Sequence, residues 1–148
     1  MAWKVTTAPV NEIWTLSEVK NYLKVDTSAD DTLITTLIQS AREIAERYLF
    51  NLKRLMDLIR ASLLKDDLPV VIGKISDSYN EADGKVWKYG ELVQYAQEKY
   101  TANDVKATIV RSTMYYNYSD PYHYDSKGYI DLGIKFADAV YQLNTNPQ

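Results

Sequence analysis

A long stretch without glycine or proline constrains the fold of this chain more than any other feature. Neither residue occurs between Pro9 and Pro69. Apolar residues recur there at spacings of three or four, which is the pattern of one face of an α-helix: Leu33, Leu37, Ile38, Ala41, Ile44, Ala45, Tyr48, Leu49, Leu52, Leu55, Met56, Ile59 and Leu63. The pattern predicts either one helix over residues 29–64, about 50 Å long at 1.5 Å per residue, or two helices that meet near Phe50.

Capping signals predict where the N-terminal helices begin. Thr15, with Glu18 three residues later, forms a capping box ahead of a short helix over residues 16–23. Ser28 is the candidate cap of the long helix. Asp30 and Asp31 would then lie in its first turn, where carboxylates suit the helix dipole, and this explanation is favoured over a metal site. We predict that residues 1–14 form an extended arm.

The pattern changes after residue 65. Two short apolar runs rich in β-branched residues predict strands, and they alternate with helical segments. Such alternation is typical of parallel strands joined by helical crossovers. The predicted fold is therefore mixed α/β, with an N-terminal helical hairpin, a long second helix and a small parallel β-α-β-α unit. The predicted strands and helices are 68–75, 86–100 (with Tyr89 and Ala96 inward), 105–111 and 127–143.

Composition excludes several classes of site. The 148 residues carry a net charge of −3, which excludes a basic nucleic-acid footprint over the whole chain. There is no cysteine and only one histidine, His123, so disulfides, thiolate sites, a cysteine nucleophile and a multi-histidine metal centre are excluded. We expect no metal and no cofactor. With no apolar run of 18 residues and no apolar signal core, we expect a cytoplasmic chain without a membrane span.

Asp120 and His123 form the candidate catalytic constellation. They lie in a loop just past the second predicted strand, where open α/β sheets place their sites. An Asp three residues before a His can fold back to hydrogen-bond the imidazole. That contact orients the ring and stabilises the imidazolium that a general base forms.

Tyrosines are concentrated around this constellation. Six of the 13 tyrosines lie between residues 115 and 129. They could stack on sugars or bases, with Tyr122 and Tyr124 as candidate substrate contacts. The favoured interpretation is that the cluster covers an exposed sheet edge.

The chain from Leu68 to Leu143 resembles the C-terminal part of carbohydrate esterases of the SGNH-hydrolase superfamily. These are the sialate O-acetylesterase-like and acetylxylan-esterase-like enzymes. The matching blocks are LPVVIGKISDS, DGKVWKYGELVQYAQEKY and SDPYHYDSKGYIDLGIKFADAV. The resemblance implies half of an SGNH sandwich, with Asp120 as the orienting acid and His123 as the general base.

The nucleophile of that family has no counterpart here. Its serine lies in a Gly-Asp-Ser- or Gly-Gln-Ser-type block near the start of the domain, and residues 1–50 contain no glycine. The serines near the candidate site stand on no recognisable nucleophile turn: Ser76, Ser78, Ser112 and Ser119. Without a nucleophile and oxyanion hole most acyl-transfer machinery is lost, so a vestigial pair is favoured.

The first part of the chain resembles a different family. KVTTAPVNE at the start, WTLSEVKNYLKVD at 14–26 and DDTLITTLIQSAREIAERYL at 30–49 are similar to the N-terminal helices of tailed-phage head–tail connector proteins. That resemblance implies a structural subunit assembled in a virion. Together the two resemblances predict a fusion of a connector-like segment, 1–50, with an esterase-like segment, 51–148.

Two functions of different classes follow. The missing nucleophile favours a non-catalytic connector-like subunit. The alternatives are a carbohydrate O-acetylesterase fragment that acts on a carbohydrate ester, and an engineered chimera without a selected function. Half a sandwich leaves apolar surface uncovered, so we expect a homo-oligomer, with portal and tail proteins as further partners. The mild basic stripe of Lys53, Arg54 and Arg60 makes nucleic acid at most an incidental partner.

Overall fold

The computed structural model describes residues 14–82 and 84–145. It confirms the mixed α/β fold, with a two-stranded parallel sheet among helices. The extended arm predicted for residues 1–14 lies outside the described residues except for Trp14. In chain order the elements are α1 (Leu16–Leu23), α2 (Asp31–Ser62), β1 (Val70–Gly73), α3 (Gly90–Ala102), β2 (Ala107–Val110), a 3₁₀ turn (Ser112–Tyr115) and α4 (Ser126–Thr145).

The start of α1 follows the predicted capping box. The Thr15 hydroxyl accepts a hydrogen bond from the Glu18 amide at 3.2 Å, and the Glu18 carboxylate accepts one from the Thr15 amide at 2.8 Å. Helix α2 is one continuous helix, so the two-helix alternative is wrong. It begins at Asp31 rather than directly after Ser28, and the Asp31 carboxylate forms an ion pair with Lys20.

The chain divides into two compact units, the first ending at Ile44 and the second beginning at Ala45, within α2. In the first unit, Ile34 and Ile38 are buried. In the second unit the buried apolar residues come from α2, α3 and β2: Ala45, Ala96, Tyr100, Ala107, Ile109 and Val110.

The sheet of the second unit has the predicted parallel pairing. β1 and β2 pair over four residues, from Val70 opposite Ala107 to Gly73 opposite Val110, and α3 crosses between them. The strands are shorter than the apolar runs because ladder hydrogen bonds extend only where both strands run side by side. Helix α4 packs on both strands. A Cβ on Gly73 would lie 3.4 Å from the Phe136 ring, so the glycine permits this close approach.

Arg60 ties the end of α2 to the amino ends of both strands. Its Nη1 donates to Asp104 Oδ2 at 2.7 Å, just before β2, and its Nε and Nη2 donate to the Leu68 carbonyl, just before β1, at 3.1 and 2.9 Å. Tyr100 also donates to Asp104 Oδ2, at 2.8 Å. Arg60 is therefore buried and paired, not part of a solvated basic stripe.

Candidate functional site

An open cleft lies beyond the carboxyl ends of the two strands. Its volume is about 460 Å³, and two loops border it, one after β1 and one after β2. This is the edge of an open α/β sheet where ligands bind. The lining residues are Asp77, Ser78, Tyr79, Asn80, Tyr116, Asn117, Tyr118, Ser119 and Asp120.

Asp77 organises the first of these loops. Its carboxylate accepts hydrogen bonds from the backbone amides of Tyr79 at 2.8 Å, Val86 at 3.0 Å and Trp87 at 2.8 Å. Burial raises the pKa of Asp77, but these amides together hold it below its ordinary value. Helix α3 begins at Gly90 rather than at Val86. Tyr89, expected to face inward, precedes the helix and is exposed.

Asp120 and His123 are brought together in the second loop. The two carboxylate oxygens lie 2.9 and 2.8 Å from His123 Nδ1. Oδ1 also accepts from the backbone amides of Tyr122 and His123, each at 2.8 Å. The Tyr122 amide, followed by the imidazole contact, lowers the pKa of Asp120. The carboxylate therefore stays ionised and fixed in place.

This geometry determines the imidazole tautomer. An ionised carboxylate only accepts hydrogen bonds, so in the neutral ring Nδ1 carries the proton and Nε2 carries the lone pair. Nε2 makes no hydrogen bond within residues 14–82 and 84–145. The His123 side chain is 64% exposed, so this nitrogen is accessible to a reactant. The pair thus has the arrangement of a general base with its orienting acid.

Each of the four nearby serine hydroxyls hydrogen-bonds a group other than the His123 imidazole. Ser76 is buried and hydrogen-bonds the Tyr118 and Tyr124 hydroxyls at 2.6 and 2.7 Å. Ser78 donates to the Pro121 carbonyl at 2.8 Å, Ser112 pairs with the Tyr116 hydroxyl at 2.8 Å, and Ser119 donates to the His123 carbonyl at 3.3 Å. In the described part of the chain, no serine hydroxyl hydrogen-bonds the imidazole.

The two candidate substrate tyrosines occupy different surroundings. Tyr124 packs against three other rings at 5.0–5.6 Å, those of Tyr116, Tyr118 and Tyr129. Its hydroxyl is bound to Ser76, so Tyr124 mainly supports the loop. Tyr122 is 55% exposed and contacts Trp87, with ring centroids 5.8 Å apart. Sequence reasoning did not identify Trp87, because its only signal was a position inside the second esterase-like block.

Residues 14–82 and 84–145 hold no group of three or more His, Asp or Glu side chains placed to bind a metal. Over the same residues, no helix has both the length and the apolar character that crossing a bilayer requires.

One comparison with known proteins covers nearly all of the second unit and the last residues of the first. A family model described as carbohydrate esterase, sialic acid-specific acetylesterase matches residues 39–142, more than two-thirds of the chain. The matched range contains β1, α3, β2 and both Asp120 and His123. No curated protein and no solved structure matches the chain, and no comparison supports the connector resemblance of residues 1–50. The chain belongs to the carbohydrate esterase family of sialic acid-specific acetylesterases.

Proposed function

We propose that this chain is a carbohydrate O-acetylesterase module in which His123 is the general base and Asp120 its orienting acid. The observation that carries the proposal is the contact of both Asp120 oxygens with His123 Nδ1 at 2.8–2.9 Å. The contact lies beside a cleft at the carboxyl ends of the strands, and the family match supports a carbohydrate ester as the substrate.

Because no serine hydroxyl in the described residues hydrogen-bonds the imidazole, water is the nucleophile in this proposal. His123 Nε2 takes a proton from water while the water oxygen attacks the acetyl carbonyl and the carbonyl π bond opens. As the tetrahedral intermediate collapses, the C–O bond to the sugar breaks and Nε2–H protonates the leaving oxygen. The products are acetic acid, which releases its proton to water and becomes acetate, and a free sugar hydroxyl. Asp120 stabilises the imidazolium between the two steps.

The test is acetate release from O-acetylated xylo-oligosaccharide and from O-acetylated sialic acid. His123→Ala is expected to lower the rate about 10²- to 10⁴-fold, the usual contribution of a general base. Tyr115→Ala, at an exposed side chain of the same segment, serves as the matched control. A wild-type chain without activity, or an activity that His123→Ala leaves unchanged, would overturn the proposal.

We propose, as a second candidate function, that residues 1–50 mediate assembly into a connector-like ring. The supporting observation is a set of exposed large apolar side chains in residues 14–44, since such side chains on a soluble chain often mark an interface. They are Trp14, Tyr22, Leu23, Leu33, Leu37 and Ile44, each 40–87% exposed.

Light scattering after size exclusion tests this assembly. We expect a defined oligomer whose mass falls towards that of the monomer in a Leu33→Asp, Leu37→Asp variant. Thr36→Asp, on an exposed polar position of the same helix, is the control for added charge. A wild-type chain that stays monomeric across a wide concentration range would contradict the connector function and leave the esterase proposal unaffected.

A further inference from the structure

The turn that carries Asp120 and His123, residues 118–124, is exposed to solvent. The two side chains are 48% and 64% exposed, and an ion pair at such a position contributes little to stability. An antiparallel backbone bridge between Tyr118 and Tyr124 closes the turn. A short hairpin of this kind is only marginally stable on its own in water. Contacts from another part of the chain must therefore fix its conformation.

Ser76, in the loop after β1, binds both ends of this turn. Its side chain is buried, and its Oγ lies 2.6 Å from the Tyr118 hydroxyl and 2.7 Å from the Tyr124 hydroxyl. Burial raises the pKa of Tyr118 to about 12, so this hydroxyl stays neutral and hydrogen-bonded at physiological pH. One serine of the β1 loop thus holds the two residues between which the turn is closed.

Ser78, two residues further along, binds the middle of the turn. Its hydroxyl donates to the Pro121 carbonyl at 2.8 Å, and Pro121 directly follows Asp120. Asp77 lies between the two serines, and its carboxylate accepts hydrogen bonds from backbone amides of its own loop. Neighbouring side chains of an extended chain point to opposite sides. The two serines therefore contact the turn, while Asp77 fixes the segment that carries them.

We propose that Ser76 and Ser78 are positioning residues for the general base, which hold the 118–124 turn so that Asp120 stays hydrogen-bonded to Nδ1 of His123. The inference rests on the proposed function, in which Nε2 takes a proton from water. The serines act through the turn and do not react with the substrate. A misplacement of about 1 Å in a catalytic group can cost about 10²-fold in rate, so contacts that fix the turn also set the rate.

The first test observes the imidazole directly. His123 is the single histidine of the chain, so its ring nitrogens give unambiguous signals in a long-range ¹H–¹⁵N spectrum of the full, ¹⁵N-labelled chain. At alkaline pH, where the ring is neutral, we expect a protonated Nδ1 and a lone pair on Nε2. In Ser76→Ala and in Ser78→Ala the two ¹⁵N shifts should move towards each other, because a ring released from Asp120 exchanges between both tautomers.

Two further variants control this measurement. Ser78→Thr retains a hydroxyl and should retain the wild-type shifts. Ser62→Ala is the matched control, because the Ser62 hydroxyl also donates to a carbonyl, that of Ile59 at 2.8 Å, at the end of α2. Because Ser76 is buried, a Tyr118→Phe, Tyr124→Phe double variant removes the same hydrogen bonds while keeping both rings. Circular dichroism melting confirms that each variant is folded.

The second test is kinetic. For acetate release from O-acetylated xylo-oligosaccharide, Ser76→Ala is expected to lower kcat about ten- to a hundredfold, the scale of a misplaced catalytic group. KM should change by less than about twofold, because the interaction that is lost acts in the transition state and not in binding. Ser62→Ala should leave both constants unchanged.

The outcomes separate the positioning role from the esterase proposal. Wild-type ¹⁵N shifts in both alanine variants, or equal changes in Ser62→Ala, would overturn the positioning role and leave His123-dependent hydrolysis standing. Shifts that move as expected in a chain without hydrolytic activity would support the positioning role and overturn the esterase function. A fall in kcat with unchanged ring nitrogens would overturn the positioning role, because the serines would then act on something other than His123.

Discussion

Asp120→Asn is expected to lower the rate of acetate release by about 10²- to 10⁴-fold, close to the loss from removing the general base. An amide at this position can donate to Nδ1, which would leave Nε2 protonated and unable to accept a proton. The two backbone amides that now donate to the carboxylate need an oxygen acceptor. The oxygen of the Asn side chain would therefore stay with them, and its NH₂ group would face Nδ1. The measurement is kcat/KM for O-acetylated xylo-oligosaccharide as a function of pH.

The dependence of kcat/KM on pH is a second expectation that follows from the pKa of Asp120. Because the Tyr122 amide and the imidazole lower the pKa of Asp120, this carboxylate stays ionised above the ordinary aspartate value of about 3.9, and its protonation should contribute nothing to the pH profile there. Asp138→Asn, at an exposed aspartate of α4, controls for the change in net charge. Full activity in the Asp120→Asn variant would show that the carboxylate does not orient a catalytic base.

Asp104→Ala is expected to lower the free energy of unfolding by about 3 kcal/mol, the usual cost of removing one partner of a buried ion pair. The Arg60 and Asp104 side chains are only 11% and 16% exposed. The variant therefore leaves the guanidinium with the Leu68 carbonyl but without its carboxylate partner, and it removes the acceptor of the Tyr100 hydroxyl. Urea unfolding followed by circular dichroism measures the change. An Arg60→Met, Asp104→Leu double variant should recover much of the stability, since no unpaired charge remains.

This pair also makes stability depend on pH. Burial raises the pKa of Asp104. The contacts with Arg60, Tyr100 and the Lys106 amide lower it by more, so the net pKa lies below the ordinary value. The stabilisation is thus fully present above the unfolded-state pKa of about 3.9 and is lost as pH falls through the lower folded-state value. Lys53→Ala, in the exposed ion pair with Asp57, should change stability by less than about 1 kcal/mol. An equal effect of the two variants would contradict the structural role of Asp104.

Local patterns were sufficient to predict most of the elements. The capping box of Thr15 and Glu18, the continuous apolar stripe of α2 and the alternation of strands and helices each depend on residues a few positions apart. The Asp120–His123 contact is also local, since one turn of loop spans three residues. These features could be predicted because the interactions that form them act over short distances along the chain.

The sequence by itself therefore determined the order of helices and strands, the parallel topology and the candidate catalytic pair. Only the tertiary structure decided what surrounds that pair. The contacts of Ser76 with Tyr118, of Arg60 with Asp104 and of Trp87 with Tyr122 each join loops or helices more than 30 positions apart. No periodicity predicts such contacts, because they depend on how the crossover helix and the strand ends pack. The exposed Nε2, the hydrogen bonds of the serine hydroxyls and the contact of Trp87 with Tyr122 all follow from that packing.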